Sequence, residues 1–290
     1  MSTTTTGPAL RAALDADVDR LLSAEPDVRE DLPDSVHQMR VATRRLRSVL
    51  RSYRKVLRRS ETDELRDELR WLAGLLGEAR DAEVRAERFT ALADERTGAQ
   101  RRAGRQLAKA ERTRYTTAHR TVVDELDGER YARLRERLDR LRNRPPLRRK
   151  RARKDAAKHF SGVLRDDFRR VRRLVRDEPE VEESERTEHM HDIRKAAKRL
   201  RYSADAAAPV LGGPAEELSS RAKKLQSVLG DHRDAVEAMD TIRARAVTAA
   251  TRGTDTTGYE GLYEAESDAA RKSLEQYPAA ATFLRHKYGN

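Results

Sequence analysis

Apolar residues recur along this chain at three- and four-residue spacing, and no stretch alternates apolar with polar β-branched residues as a strand would. Leu10, Leu14, Val18, Leu21 and Leu22 form a first stripe, which predicts an amphipathic helix over about Ala9 to Ala24, followed by a turn bracketed by Pro26 and Pro33. Met39, Leu46, Val49, Leu50, Tyr53 and Leu57 form a second stripe. The helix that carries it starts after Asp34 or Ser35, either of which can cap it, and runs to about Arg59. Residues Thr62 to Leu92, with Trp71, Leu72, Leu75 and Leu76, predict a third helix, and Gly98 to Leu126 a fourth. Asp127-Gly128 then breaks the chain before a helix over about Tyr131 to Leu141, and Pro145-Pro146 marks a boundary between two halves.

The second half repeats the order. Helices are predicted over about Ala152 to Arg176, from an acidic connector (Asp177 to Glu188) to the stop at Leu211-Gly212-Gly213-Pro214, over Ala215 to Ala249, and over Leu262 to Gln276, with a surface loop from Thr251 to Gly261. Two motifs recur with it. His37-x-x-Arg40-x-x-x-Arg44-Arg45-Leu46-Arg47 is matched by His191-x-x-Arg194-x-x-x-Lys198-Arg199-Leu200-Arg201. Leu75-Leu76-Gly77-x-x-Arg80-Asp81-Ala82 is matched by Val228-Leu229-Gly230-x-x-Arg233-Asp234-Ala235. The distance from His to Gly is 40 residues (77 minus 37) in one copy and 39 (230 minus 191) in the other. A single long period predicts two copies of one multi-helix unit. The expected fold is all-α, two pseudo-symmetric antiparallel helical bundles arising by internal duplication, with a disordered tail over 1–8, a first half over about 9–144 and a second over about 147–290.

Composition sharpens this picture. Of 290 residues, 39% are charged and only 4% aromatic, and the net charge is +12, so long amphipathic helices with an acidic partner are expected. Nucleic acid, a membrane surface and a phosphate polymer all fit that charge. The chain has no cysteine, which excludes disulfides, thiolate zinc sites and cysteine nucleophiles. The Thr-rich start lacks the features of a signal peptide and no run approaches the length of a membrane span, so a cytoplasmic protein with no membrane partner is expected.

On a helical wheel His37, Arg40, Arg44, Arg47, Arg51, Lys55 and Arg58 share one arc, opposite the apolar stripe. From Val36 to Ser60 there are 9 Arg or Lys and no acidic residue. Like charges four residues apart each cost a few tenths of a kcal/mol, so this row predicts an anionic ligand that offsets them; the competing reading is neutralisation by carboxylates of neighbouring helices. His191, Arg194, Lys198 and Arg201 repeat the arc, with Asp205 where Arg51 stood, and the preceding helix adds a stripe of Lys154, Lys158, Arg165, Arg169, Arg172 and Arg176. A histidine near phosphate favours its protonated form, so binding is expected to tighten as pH falls. Arg80 and Arg233 stand between ion pair and phosphate contact, Asp81 and Asp234 read as structural, and Gly77 and Gly230 as sites of close helix approach. His189-x-His191 is the only close histidine pair, and the cations beside it oppose metal binding. No phosphate loop, H-E-x-x-H or triad pattern is present, so no metal, no cofactor and no enzymatic activity are expected.

The two cassettes, His37-Gln-Met-Arg40-Val-Ala-Thr-Arg44-Arg45-Leu46-Arg47 and His191-Asp-Ile-Arg194-Lys-Ala-Ala-Lys198-Arg199-Leu200-Arg201-Tyr202, resemble the two signature helices of the CHAD (conserved histidine α-helical domain) family. The likeness extends from about Ala9 to Tyr288. It implies two helical bundles around a basic central groove or pore that binds inorganic polyphosphate, with association with polyphosphate granules. By motif position it implies His37, Arg40, Arg44, Arg47, His191, Arg194, Lys198 and Arg201 as ligand contacts. The wheel and the stripe add Arg51, Lys55, Lys158, Arg165, Arg169 and Arg172. Many relatives carry a CYTH triphosphate-tunnel domain ahead of this module; the few residues before the first helix and the lack of a Glu-x-Glu-x-Lys signature lead to the expectation of a stand-alone binding module. Non-specific RNA binding is the alternative, with Leu147 to Lys158, 7 basic residues and one acidic, as its strongest feature. A phosphotransfer or phosphohydrolase activity on His37 or His191 ranks last.

Overall fold

A computed structural model describes residues 4–286 and 288, and every regular element among them is helical. The helices are α1 (Thr6–Ser23), α2 (Glu25–Arg29), α3 (Ser35–Ser52), α4 (Arg59–Asp94), α5 (Gly98–Leu126) and α6 (Glu129–Asn143). They continue with α7 (Arg149–Ala152), α8 (Ala156–Asp177), α9 (Glu183–Leu211), α10 (Gly213–Thr251), α11 (Thr257–Glu275) and α12 (Tyr277–Ala280). Two 3-10 turns, Glu178–Glu180 and Thr282–Leu284, complete the order. No described helix is long and apolar enough to cross a membrane.

The chain divides into two compact units. One gathers residues up to 76, 121–226 and those from 281 onward; the other gathers 77–120 and 227–280. Each of the expected halves, 9–144 and 147–290, contributes residues to both units. The Pro145-Pro146 boundary is stitched down instead of open: Arg58 N donates to Pro146 O at 2.8 Å, Arg148 N donates to Val56 O at 2.7 Å, and Leu57 and Leu147 form an antiparallel bridge.

In the first unit the apolar stripes meet as expected. Leu10, Leu14, Val18 and Leu21 of α1, Met39, Leu46, Val49 and Leu50 of α3, and Ile193, Leu200 and Ala204 of α9 are fully buried. Here α1 packs on α3 and α6, α3 packs on α9, and α8 runs along α9. The Tyr53 ring lies 4.7 Å from that of Phe160 and its hydroxyl donates to Ser203 O at 3.1 Å. In the second unit Phe89, Leu107, Ala238, Ile242 and Leu262 form the core, and the buried Glu266 accepts from Arg88 Nε at 2.8 Å. Gly258 is required there, because a Cβ would lie 2.5 Å from Ala99 O.

Three expected elements are corrected. The disordered tail over 1–8 is ordered from Thr4: Ala156 N donates to Thr4 O, Thr6 N and Oγ1 donate to Lys154 O at 2.8 and 2.9 Å, and α1 begins at Thr6; Met1 to Thr3 lie outside the described residues. Pairing with a segment about 150 positions away supplies the order, which local polarity does not reveal. The cassette helix α3 stops at Ser52, not Arg59, because the chain turns through Tyr53 to Leu57 to bridge Leu147. Asp34 takes the N-cap position in a left-handed conformation and makes no side-chain cap bond; its carboxylate accepts from Gln38 Nε2 instead.

Candidate functional site

The apolar face of α3 is locked into the core, so its opposite face carries Arg44, Arg47 and Arg51 to a cleft of about 260 Å³. Ser48 of α3, Arg66 and Arg70 of α4, Arg170 of α8, and Asp192, Lys195, Ala196, Lys198 and Arg199 of α9 complete its wall. Asp192 is the only carboxylate in that wall, against nine cationic side chains, and no aromatic ring lines it.

The arginine just before the leucine of each cassette, Arg45 in one and Arg199 in the other, is held in a structural ion pair. Arg45 Nε meets the buried Asp17 of α1 at 2.6 Å, and Arg45 Nη1 meets Asp205 of α9 at 2.8 Å, where the Ser219 hydroxyl also donates. Arg199 Nη2 meets the buried Asp167 of α8 at 2.6 Å, and Ser52 and Ser203 each donate to Asp167 Oδ2 at 2.9 Å. One carboxylate from α1 and one from α8 thus fix the two cassette helices in the same way. Burial outweighs the pull of Arg45 and Arg20 and raises the Asp17 carboxyl above its ordinary range.

Other cations of the wall also have partners: Arg66 with Asp63 at 2.7 Å, Arg70 with Asp67 at 3.4 Å, and Lys195 with Asp192 at 2.6 Å. Among the described residues no ion pair joins Arg44, Arg47, Arg51 or Arg170 to a carboxylate, although the charge of Arg170 acts on Asp192. The Arg44 guanidinium is pushed down to about 10 by burial and by the charges of Arg40, Arg194 and Arg47. Burial, then Arg70 and Arg66, lowers Arg47; burial, then Arg199, Arg170, Arg66 and Arg54, lowers Arg51. The setting that lowers all three opposes their charged forms, so positive charge is held in this cleft at a cost.

Of the residues expected to bind ligand, Arg44, Arg47, Arg51 and Lys198 line this cleft. His37, Arg40, His191, Arg194 and Arg201 do not. Arg40 and Arg194 act on Arg44 through their charge, and His191 acts likewise on Asp192. Arg201 sits 5.4 Å from the centre of the Tyr202 ring and donates to Gln226 Oε1 at 3.5 Å. Lys55 lies beyond the end of α3, exposed and 3.2 Å from Asp166. Lys158, Arg165 and Arg169 are exposed on α8 outside the cleft, and Arg172 Nε donates to Leu284 O at 3.0 Å, holding the last 3-10 turn. At about 100° per residue, Arg165, Arg169 and Arg172 lie roughly 140–200° around α8 from the buried Asp167, whereas Arg170 lies about 60° away. Taking Asp167 as the inward mark would have picked out Arg170. Arg66 and Arg70 carried no such signal, since each follows an aspartate at the spacing of an ordinary solvated helix.

Arg80 and Arg233 hold ion pairs on their own helices, with Glu83 at 2.8 Å and Glu237 at 2.5 Å. Gly77 and Gly230 are buried within α4 and α10. His189 bonds the Leu174 carbonyl at 2.7 Å and joins α9 to α8.

Comparison with known proteins places this arrangement. The structure is similar to PptA from Streptomyces chartreusis, with a TM-score of 0.78 and 21% identity over 96% of this chain and 99% of that one. It is also similar to the crystal structure of the CHAD domain from the plant Ricinus communis, with a TM-score of 0.69 and 22% identity over 98% of this chain and 93% of that one. Two Mycobacterium tuberculosis sequences, the uncharacterized proteins MT2285 of strain CDC 1551 / Oshkosh and Rv2226 of strain H37Rv, are 37% identical over 277 residues. That match covers 92% of this chain and 51% of theirs, so the chain spans about half the length of the curated relatives it matches. The CHAD domain model matches residues 12–243, a span that holds both cassettes and the whole wall of the cleft, and the chain belongs to the CHAD family.

Proposed function

We propose that this chain binds inorganic polyphosphate, and that the cleft walled by α3, α4, α8 and α9 is where it does so. The observation that carries the reading is the set of Arg44, Arg47, Arg51 and Arg170, four guanidinium groups around one cavity that no ion pair among the described residues joins to a carboxylate. A flexible chain of phosphates offers each of them charge-assisted hydrogen bonds and releases its own counterions on entry. The absence of an aromatic side chain from the wall favours bare phosphate over nucleic acid, which would find no platform for its bases. The module acts by binding, without turnover, and association with polyphosphate granules follows from that binding.

Arg44→Glu with Arg47→Glu is expected to weaken retention of polyphosphate by at least about 100-fold, from ~1.5–3 kcal/mol for each lost charge-assisted contact. Binding isotherms at several salt concentrations check this. Unchanged affinity in the double variant overturns the site. Displacement of polyphosphate by RNA at equal phosphate concentration and fixed salt overturns the ligand. Release of phosphate during incubation with polyphosphate and magnesium overturns the expectation of a pure binder.

A further inference from the structure

The segment from Arg148 to Lys154 contains six cations, Arg148, Arg149, Lys150, Arg151, Arg153 and Lys154, and none of the six has a carboxylate partner among the described residues. All are partly or fully exposed. In the arginine-rich helix α6 just before it, five of the six arginines, Arg130, Arg133, Arg135, Arg137 and Arg142, are paired with a glutamate or aspartate, and Arg140 donates to the Glu136 carbonyl. The one carboxylate within reach in sequence, Asp155, is occupied, because its Oδ1 caps α8 by accepting from Lys158 N at 2.7 Å.

This strip is held in a fixed place. Arg148 N bonds Val56 O, Leu147 bridges Leu57, and Thr6 bonds Lys154 O, so both ends are tied by backbone bonds. The first tie sets it beside the turn that follows α3, where Arg54 and Lys55 continue from Arg51 at the cleft. Arg51 is within electrostatic reach of Arg54, and His159 of α8 is within reach of Lys55, Arg151 and Lys154 together. The cations therefore run on from the cleft through Arg54 and Lys55, the latter paired with Asp166, into the strip.

We infer that the Arg148–Lys154 strip is an outer extension of the polyphosphate cleft, which engages the part of a long phosphate chain that leaves the cleft past the end of α3. This rests on the reading of the cleft as a polyphosphate site. A chain short enough to lie in the cleft alone does not reach the strip, so the strip confers preference for long chains.

The test uses the full chain and two ligands, tripolyphosphate and long-chain polyphosphate. In the variant with Arg149, Lys150, Arg151 and Arg153 all changed to Gln, long-chain affinity is expected to fall at least about tenfold. The slope of log affinity against log salt becomes shallower by roughly 3, at about 0.7 per lost phosphate contact, while tripolyphosphate binding stays within about twofold. A second measurement on the unchanged protein is amine acylation: long-chain polyphosphate is expected to protect Lys150 and Lys154, and tripolyphosphate to leave them reactive. An unaltered long-chain isotherm, or Lys150 and Lys154 equally reactive with and without the long chain, overturns the extension. So does a loss confined to RNA or to anionic phospholipid vesicles, which would assign the strip to that partner. Failure of the cleft reading has a different signature, namely full reactivity of Lys198 with either phosphate ligand and retention of both by the Arg44/Arg47 variant.

Discussion

At the scale of the residue, what separates a structural arginine from a binding one is the carboxylate across from it. Arg44 and Arg45 are neighbours in sequence, yet Arg45 meets Asp17 and Asp205 while Arg44 faces Arg40, Arg47 and Arg194. Arg44 stays protonated at neutral pH, since its lowered value of about 10 is still far above 7. Its charge is a net cost to the folded, empty protein, so Arg44→Met is expected to raise apo stability by on the order of 1 kcal/mol while weakening polyphosphate binding. Thermal melts with and without ligand check both signs. Asp192 opposes binding from the wall of the cleft; Asp192→Asn removes that charge, leaves Lys195 paired with Glu188 alone, and is expected to tighten binding about two- to fivefold, from ~0.5–1 kcal/mol for an exposed pair. His37→Gln with His191→Gln is expected to cost far less affinity than the Arg44/Arg47 variant, because neither histidine lines the cleft. Titration of the same isotherms decides this.

At the scale of the element, α3 and α9 act as rigid carriers whose rotation is set by what they bury. Asp167 of α8 ties Arg199 and Ser203 of α9 to Ser52 at the end of α3. Removing one partner from a buried charged network leaves the other without compensation, so Asp167→Ala is expected to cost about 3–5 kcal/mol of stability, read from the denaturant midpoint. The packed faces of α3 and α9 were legible, because a 3.6-residue period exposes them directly. The end of α3 was not. Nothing in the local pattern from Tyr53 to Leu57 opposes further helix; a bridge to Leu147, ninety positions on in the sequence, turns the chain there. Lys55 therefore leaves the row to which the wheel assigned it.

At the scale of the whole molecule, charge, pH and ligand act on one equilibrium. Burial, then Arg151, Lys154 and Lys55, lowers His159, whose Nε2 is buried without a hydrogen-bond partner. The unfolded chain then binds this proton more readily than the folded one, so stability is lost as pH falls below the ordinary histidine value of about 6.5. His159→Gln is expected to flatten the decline in denaturation midpoint between neutral and mildly acidic pH. The two compact units are interleaved in sequence, each drawing residues from both sides of Pro145-Pro146: prolines mark where helices stop, not where packing changes partners.

The sequence by itself determined the all-helical class, the apolar faces of the major helices and the two histidine-headed basic cassettes, because helical period and motif spacing are local and can be read from neighbours. It also carried the resemblance that the family match confirms. Only the tertiary structure decided which cations of each cassette are neutralised and which are left for a ligand. That choice depends on where Asp17, Asp167 and Asp205 arrive in space, and those carboxylates come from α1, α8 and α9, up to 160 positions from the arginine they pair with.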